Sequence, residues 1–266
     1  MRVLVAWLAA LALLSACNAG VTSPTAGEPD TTDTDGAVGS EPLTGELVVF
    51  VAASLTDAFE ELAGRLEARH PDLTVTTNLA GSQTLAAQLV EGAPADVFAS
   101  ASGAALDLVE DTGRVAAREP FAANRLAIVV EPGNPHGITG LADLAHDDLV
   151  LVLPGPQVPA GQYAAQALER AGVEVTPASL ELDVRAALGK VRLGEADAAI
   201  VYASDVVAAG DGVERVVIPD GANVVATYPV ARLLDAPNPA AADAFVSLLR
   251  SQDGQAVLRR HGFEAP

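Results

Sequence analysis

The chain holds one cysteine, Cys17, one lysine, Lys190, and only four histidines. A single cysteine allows no internal disulfide, so stability must come from the packed core. The histidines, His70, His136, His146 and His261, sit in turns or near predicted helix ends. None belongs to a His/Cys/carboxylate cluster with metal-ligand spacing, so no metal is expected to be held by direct protein ligands, and no cofactor is implied. Positive charge is scarce as well. Fifteen Lys and Arg stand against 35 Asp and Glu, for a formal net charge of −20. Such a chain is a poor partner for nucleic acid or for an anionic membrane surface. A membrane-spanning run is also missing at the start. The apolar stretch from Val3 to Leu14 would cover only ~18 Å as a helix, against a hydrocarbon core of ~30 Å. One lysine beside fourteen arginines, with abundant alanine, points to codon bias in a GC-rich bacterium.

What the N-terminus does have is Met1-Arg2, the short apolar stretch, and then Leu14-Ser15-Ala16-Cys17. A basic start, an apolar segment and small residues make a secretory signal, here residues 1–17. Small residues running into a cysteine resemble the bacterial lipobox, which implies that Cys17 becomes a lipidated first residue. The protein is then expected outside the cytoplasm, anchored to the outer face of the cell membrane. Removal of Arg2 with the signal moves the net charge from −20 to −21. Residues 18–44 are rich in Thr, Gly, Pro, Asp and Glu and poor in large apolar side chains. Such a segment buries too little surface to offset its ordering entropy, and reads as a disordered tether with a reach of roughly 30 Å.

About 220 residues remain, enough for one large or two small domains, with no internal repeat. From Glu46 strand-like and helix-like segments alternate. Leu47 to Ala52 is an apolar run of strand length. Leu55, Ala58, Phe59, Leu62, Ala63 and Leu66 follow at helical spacing, ended by His70-Pro71. Strands are predicted at 73–77, 96–99, 126–130, 149–153, 198–202 and 216–218, and helices at 84–90, 162–171, 184–193, 240–249 and 255–260. Continuous apolar strands between amphipathic helices indicate an α/β fold whose mostly parallel sheet is covered on both faces.

Ligands of open α/β sheets bind at the carboxyl ends of strands, where helices begin. Ser54 stands at such a junction, and Ser82 at another behind Gly81. Pro159-Ala160 and Asp183-Val184 open two further helices, and Tyr202 ends a strand. Capping, a Pro/Gly turn and core packing explain each of these singly. Together they place neutral donors at one end of the sheet. Helix N-termini hold anions through free amides and the macrodipole without lysine or arginine, so an acidic chain can bind an anion.

Ala52-Ala53-Ser54-Leu55-Thr56, Gly81-Ser82-Gln83-Thr84-Leu85-Ala86, Gly92-Ala93-Pro94-Ala95-Asp96-Val97-Phe98, Val158-Pro159-Ala160-Gly161, Asp183-Val184-Arg185 and Ile200-Val201-Tyr202 resemble, in order, the molybdate-binding proteins of ABC importers. The likeness covers 46 to 264. It implies the two-lobed periplasmic-binding-protein fold of type II, each lobe a mostly parallel sheet with helices on both faces. It also implies a hinge with two crossovers, placed near Asn124 and near Tyr228-Pro229. Residues 45–123 plus 229–266 form one lobe and 124–228 the other. The ligand set that the resemblance implies is Ser54, Ser82, Ala160, Val184 and Tyr202. Where some members have a run of serines this chain has Gly81-Ser82-Gln83, so Ser82 is assigned the contact, with Gln83 able to add an amide.

The implied function is capture of molybdate, with tungstate, by a monomeric non-enzymatic lipoprotein that delivers it to an ABC permease. An anchored carrier of this kind suits a Gram-positive cell. All the contacts are donors, which suits a fully ionised dianion and not a protonated phosphate. Asp57, Asp183 and Asp205 are read as capping or surface residues. Sulfate or another tetrahedral oxyanion is the alternative ligand. A secreted serine hydrolase using Ser54 or Ser82 is disfavoured, because no histidine is placed as a base and Gly81-Ser82-Gln83 is no nucleophile elbow.

Overall fold

The computed structural model describes residues 42–266. Cys17, the signal expected over 1–17 and all but the last three residues of the tether expected over 18–44 lie outside them. Among the described residues no helix is long and apolar enough to cross a membrane.

The apolar run after Glu46 becomes strand β1, Gly45–Ala52. A single turn, Ala53–Leu55, leads into α1, Thr56–Arg69, which buries Ala58, Phe59, Leu62, Ala63 and Leu66 on one face. Pro71 cannot continue the helix. Next come β2 (Leu73–Ala80), α2 (Ser82–Val90), β3 (Val97–Ala99), α3 (Gly103–Glu110) and the long β4 (Val115–Val130). They are followed by β5 (Leu151–Pro154), α4 (Pro159–Ala171), β6 (Ser179–Glu181), α5 (Val184–Arg192), β7 (Ala198–Tyr202), α6 (Ala203–Ala209) and β8 (Glu214–Val217). Strand β9 (Val225–Leu233) and helices α7 (Pro239–Arg250) and α8 (Gln252–Arg260) complete the chain.

The strands hydrogen-bond in the order β2-β1-β3-β9-β4-β7-β5-β6, with β8 also on β4. The expected parallel pairing holds at both flanks: β1 with β2 and β3, and β5 with β6 and β7. The middle is antiparallel, since β9 joins β3 and β4, and β4 joins β7 and β8. The sheet is therefore mixed. Parallel neighbours need a crossover helix, which the flanking strands have; β4 and β9 run between the two halves without one. Strand β4 also changes partners along its length. Val115 to Arg125 pairs with β9, and Leu126 to Val130 pairs with β7 and β8.

Aromatics make up 4% of the chain, yet six of its nine Phe and Tyr rings form one cluster. Phe245 packs on Phe59, Phe59 on Phe121, and Phe121 on Tyr228, which also meets Tyr202 and Phe263; ring centroids lie 5.4 to 6.4 Å apart. The tilted and edge-on geometries suit the ring quadrupoles. The cluster joins α1 and α7 to β4, β9 and the end of β7.

Candidate functional site

Five strand ends converge. Ser54 follows β1, Ser82 follows β2, Ala160 lies in the first turn of the helix after β5, Val184 opens the helix after β6, and Tyr202 closes β7. All five line one cleft. Ala52, Ala53, Gly81, Ala101, Val158, Pro159 and Asp183 complete the lining. All five predicted residues are buried. Gly161 lets α4 start there: a side chain at that position would lie 2.1 Å from the Gly155 carbonyl oxygen.

Helix starts away from the cleft are capped by side chains. Ser102, Asn238 and Ser251 each accept a first-turn N–H of α3, α7 and α8. The turn at Ala53–Leu55, and helices α2 and α4, have no side-chain cap. First-turn amides have no acceptor within their own helix, so these starts keep donors free at the cleft. Helix α5 is capped by Asp183, whose Oδ1 accepts from Ala186 N–H at 2.8 Å, and the N–H of Val184 is not consumed by that bond. The one carboxylate lining the cleft is thereby turned onto its own helix. Among the described residues no Lys, Arg or His lines the cleft.

The hydroxyls are arranged from behind. Ser82 Oγ accepts from Ala101 N–H at 3.0 Å, which leaves its proton to donate. Ser54 Oγ lies 2.9 Å from the Tyr228 hydroxyl. Among the described residues the Tyr202 hydroxyl makes no hydrogen bond of good geometry, although it is fully buried beside Tyr228. Burial holds both phenols well above the ordinary tyrosine range, so each stays a neutral donor.

Of the nearby carboxylates, Asp205 takes the capping role that the sequence reading allowed it. It caps α6, as expected, with Oδ2 accepting from Tyr202 N–H at 3.0 Å, but it is wholly buried and not a surface group. Burial pushes its pKa up to about 6 against the opposing pull of Arg185, whose Nε lies 2.8 Å from Oδ1. Arg185 also pairs with Asp57 of α1. Gln83 gives its side-chain amide to the Leu182 carbonyl at 2.9 Å, and does not line the cleft.

Tyr228, Ala101 and Asn124 escaped the sequence reading as site residues. Ala101 lines the cleft, whereas Tyr228 and Asn124 stand behind the lining, and Tyr228 is 174 positions from the serine it touches, so no local motif links them. The predicted segments also omitted the strand that carries Tyr228.

An α/β body whose helix starts bring free donors together at one cleft has the form of a binding protein for a small solute. The chain belongs to the bacterial extracellular solute-binding protein family, whose family model matches residues 47–264. It is 39% identical over 221 residues to the molybdate-binding protein ModA of Mycobacterium tuberculosis, covering 83% of this chain and 85% of that one. Its identity to the molybdate-binding protein ModA of Escherichia coli is 33% over 234 residues, covering 82% and 89%. The periplasmic molybdate-binding protein of Azotobacter vinelandii shares the fold, with a TM-score of 0.72 at 21% identity over 83% of this chain and 99% of that one.

Proposed function

We propose that this protein captures molybdate, and tungstate with it, in the donor-lined cleft and delivers it to an ABC permease. The observation that carries the reading is the convergence of Ser54, Ser82, Ala160, Val184 and Tyr202 on one cleft whose lining supplies neutral donors. Relatives that are 39% and 33% identical bear the name of molybdate-binding proteins, which favours this oxyanion over sulfate. Calorimetric titration with molybdate, tungstate, sulfate and phosphate tests it. Molybdate should give heat and raise the melting temperature, since a ligand at a hundred times its dissociation constant stabilises by roughly 2.7 kcal/mol. No heat and no shift with molybdate would sink the reading.

Residues 45–123 with 229–266 are read as one lobe and 124–228 as the other. The change of partners along β4 between Arg125 and Leu126 supports a crossing near Asn124. Strand β9 pairs with the first part of β4 from Val225 onward, which favours a return a few residues ahead of Tyr228-Pro229. Ser54 and Ser82 then lie on one lobe and Ala160, Val184 and Tyr202 on the other, so an anion touching both favours the closed form. Lipid on Cys17 would hold this monomer at the outer membrane face, within reach of its permease. Intact-mass measurement of the native protein tests the anchor.

A further inference from the structure

We infer that Tyr228, which does not line the cleft, is a positioning residue that turns the Ser54 hydroxyl into an obligate donor and so helps select ligands made only of acceptors. The inference rests on the oxyanion reading above. Three edge-on rings, Phe121, Tyr202 and Phe263, fix the Tyr228 ring, and its hydroxyl is buried 2.9 Å from Ser54 Oγ. A phenol has one proton to give, and burial keeps that proton in place. The other neighbours leave Ser54 as its acceptor. The Tyr202 oxygen makes no well-formed bond to it. Asn124 faces Tyr228 as a donor: its Oδ1 is turned to Arg125 N–H, and its Nδ2, which donates to Ser204 Oγ at 2.8 Å, has a second hydrogen for the Tyr228 oxygen.

With the phenol donating to Ser54 Oγ, the cleft is the direction left for the serine's own proton. Ser82 reaches the same state by another route, because the Ala101 amide donates to it from behind. Both hydroxyls therefore present hydrogens. Molybdate or sulfate satisfies them; hydrogen phosphate brings a hydrogen of its own that meets another donor.

The test is a double-mutant cycle on the full folded chain, with molybdate and inorganic phosphate as probes. Tyr228→Phe keeps the ring and its packing. It should weaken molybdate binding by roughly five- to tenfold and narrow the molybdate-to-phosphate ratio. In a Ser54→Ala background the same substitution should add no further loss, because its target hydroxyl is gone. A purely structural role would give equal losses in both backgrounds and an unchanged ratio, and either result overturns the inference. Melting curves without ligand check folding. Fluorotyrosine placed at 228 alone, a stronger donor of nearly the same shape, should keep or tighten molybdate binding, and weaker binding would also overturn the inference. Wild-type protein that takes up no molybdate would instead defeat the proposed function, before Tyr228 is in question.

Discussion

The two walls of the cleft reach the same chemistry by different means. One wall offers serine hydroxyls, which can rotate and are braced from behind by the Tyr228 hydroxyl and the Ala101 amide. The other offers Ala160 and Val184, whose side chains carry no polar atom, so its amides are aimed by α4 and α5 themselves. It adds Tyr202, held through its own N–H by Asp205. The hydroxyl wall depends on hydrogen bonds between neutral groups. The backbone wall depends on helix geometry and on one buried carboxylate paired with Arg185. Each wall should therefore fail under a different perturbation.

The largest expected effect falls on the backbone wall through pH. Asp205 has its pKa raised from 3.8 to about 6, first because burial disfavours its charge. An acid weaker in the folded state binds its proton more tightly there, so its contribution to stability is full below about pH 4 and is lost as pH rises through about 6. A rise of about two units corresponds to roughly 3 kcal/mol. Asp205→Asn stays neutral while its amide oxygen can still accept from Tyr202. Urea unfolding of both proteins from pH 3.5 to 7.5 should give a native-minus-variant difference that falls across that window and is level above about pH 7. A difference that is flat throughout would remove the buried charge from the account of this wall.

Next in size is deletion of a single amide. Val184 is the first residue of α5, and Asp183 before it is extended, at φ −154° and ψ 172°. Proline suits the first helical position and an extended predecessor. Val184→Pro should keep α5 and remove one N–H. The expected loss in molybdate affinity is roughly ten- to hundredfold by calorimetry, the value of a hydrogen bond to a charged ligand. Ser82→Ala is the counterpart on the hydroxyl wall. It should weaken binding by about tenfold and also lower stability by ~1–3 kcal/mol, because the buried Ala101 N–H loses its acceptor. If Val184→Pro lost stability and Ser82→Ala did not, the assignment of self-supporting and braced walls would be reversed.

Much of this contrast was legible before folding. The helix starts at Ser54, Ser82, Ala160 and Val184 and the strand end at Tyr202 announced themselves by local pattern, although neither serine is a cap: Ala52 and Gly81 hold the N-cap positions, which leaves both hydroxyls for other partners. Segments whose surroundings decide their structure did not. Residues 115–125 interrupt their apolar positions with Arg118, Glu119 and Pro120, and become strand by pairing with β9 a hundred residues away. Strand β9 and α3 were likewise missed, and with β9 went Tyr228. The bracing of the hydroxyl wall is long-range and so was hidden, whereas the backbone wall, made by local helix starts, was open to reading.

The smallest effect tests what the walls share. Neither places a cation at the cleft, so attraction for a dianion comes from amide and hydroxyl dipoles that act within about a turn of helix. The chain as a whole carries a formal charge of −20 and repels the dianion from farther out. Raising ionic strength from about 0.01 M to 0.15 M shortens the Debye length from ~30 to ~8 Å. That screens the distant repulsion while leaving the dipoles, which act at contact, nearly untouched. Stopped-flow association with molybdate should therefore speed up by roughly two- to threefold, with dissociation almost unchanged because the bound ion is out of solvent. A site that draws its anion in with lysines and arginines behaves in the opposite way, slowing as salt screens them. An association rate that falls with salt would mean that a guanidinium, such as that of Arg185 beside the lining residue Val184, leaves its carboxylate partners to meet the ion. The two walls would then no longer be alike in neutrality, and the comparison would have to be redrawn around that charge.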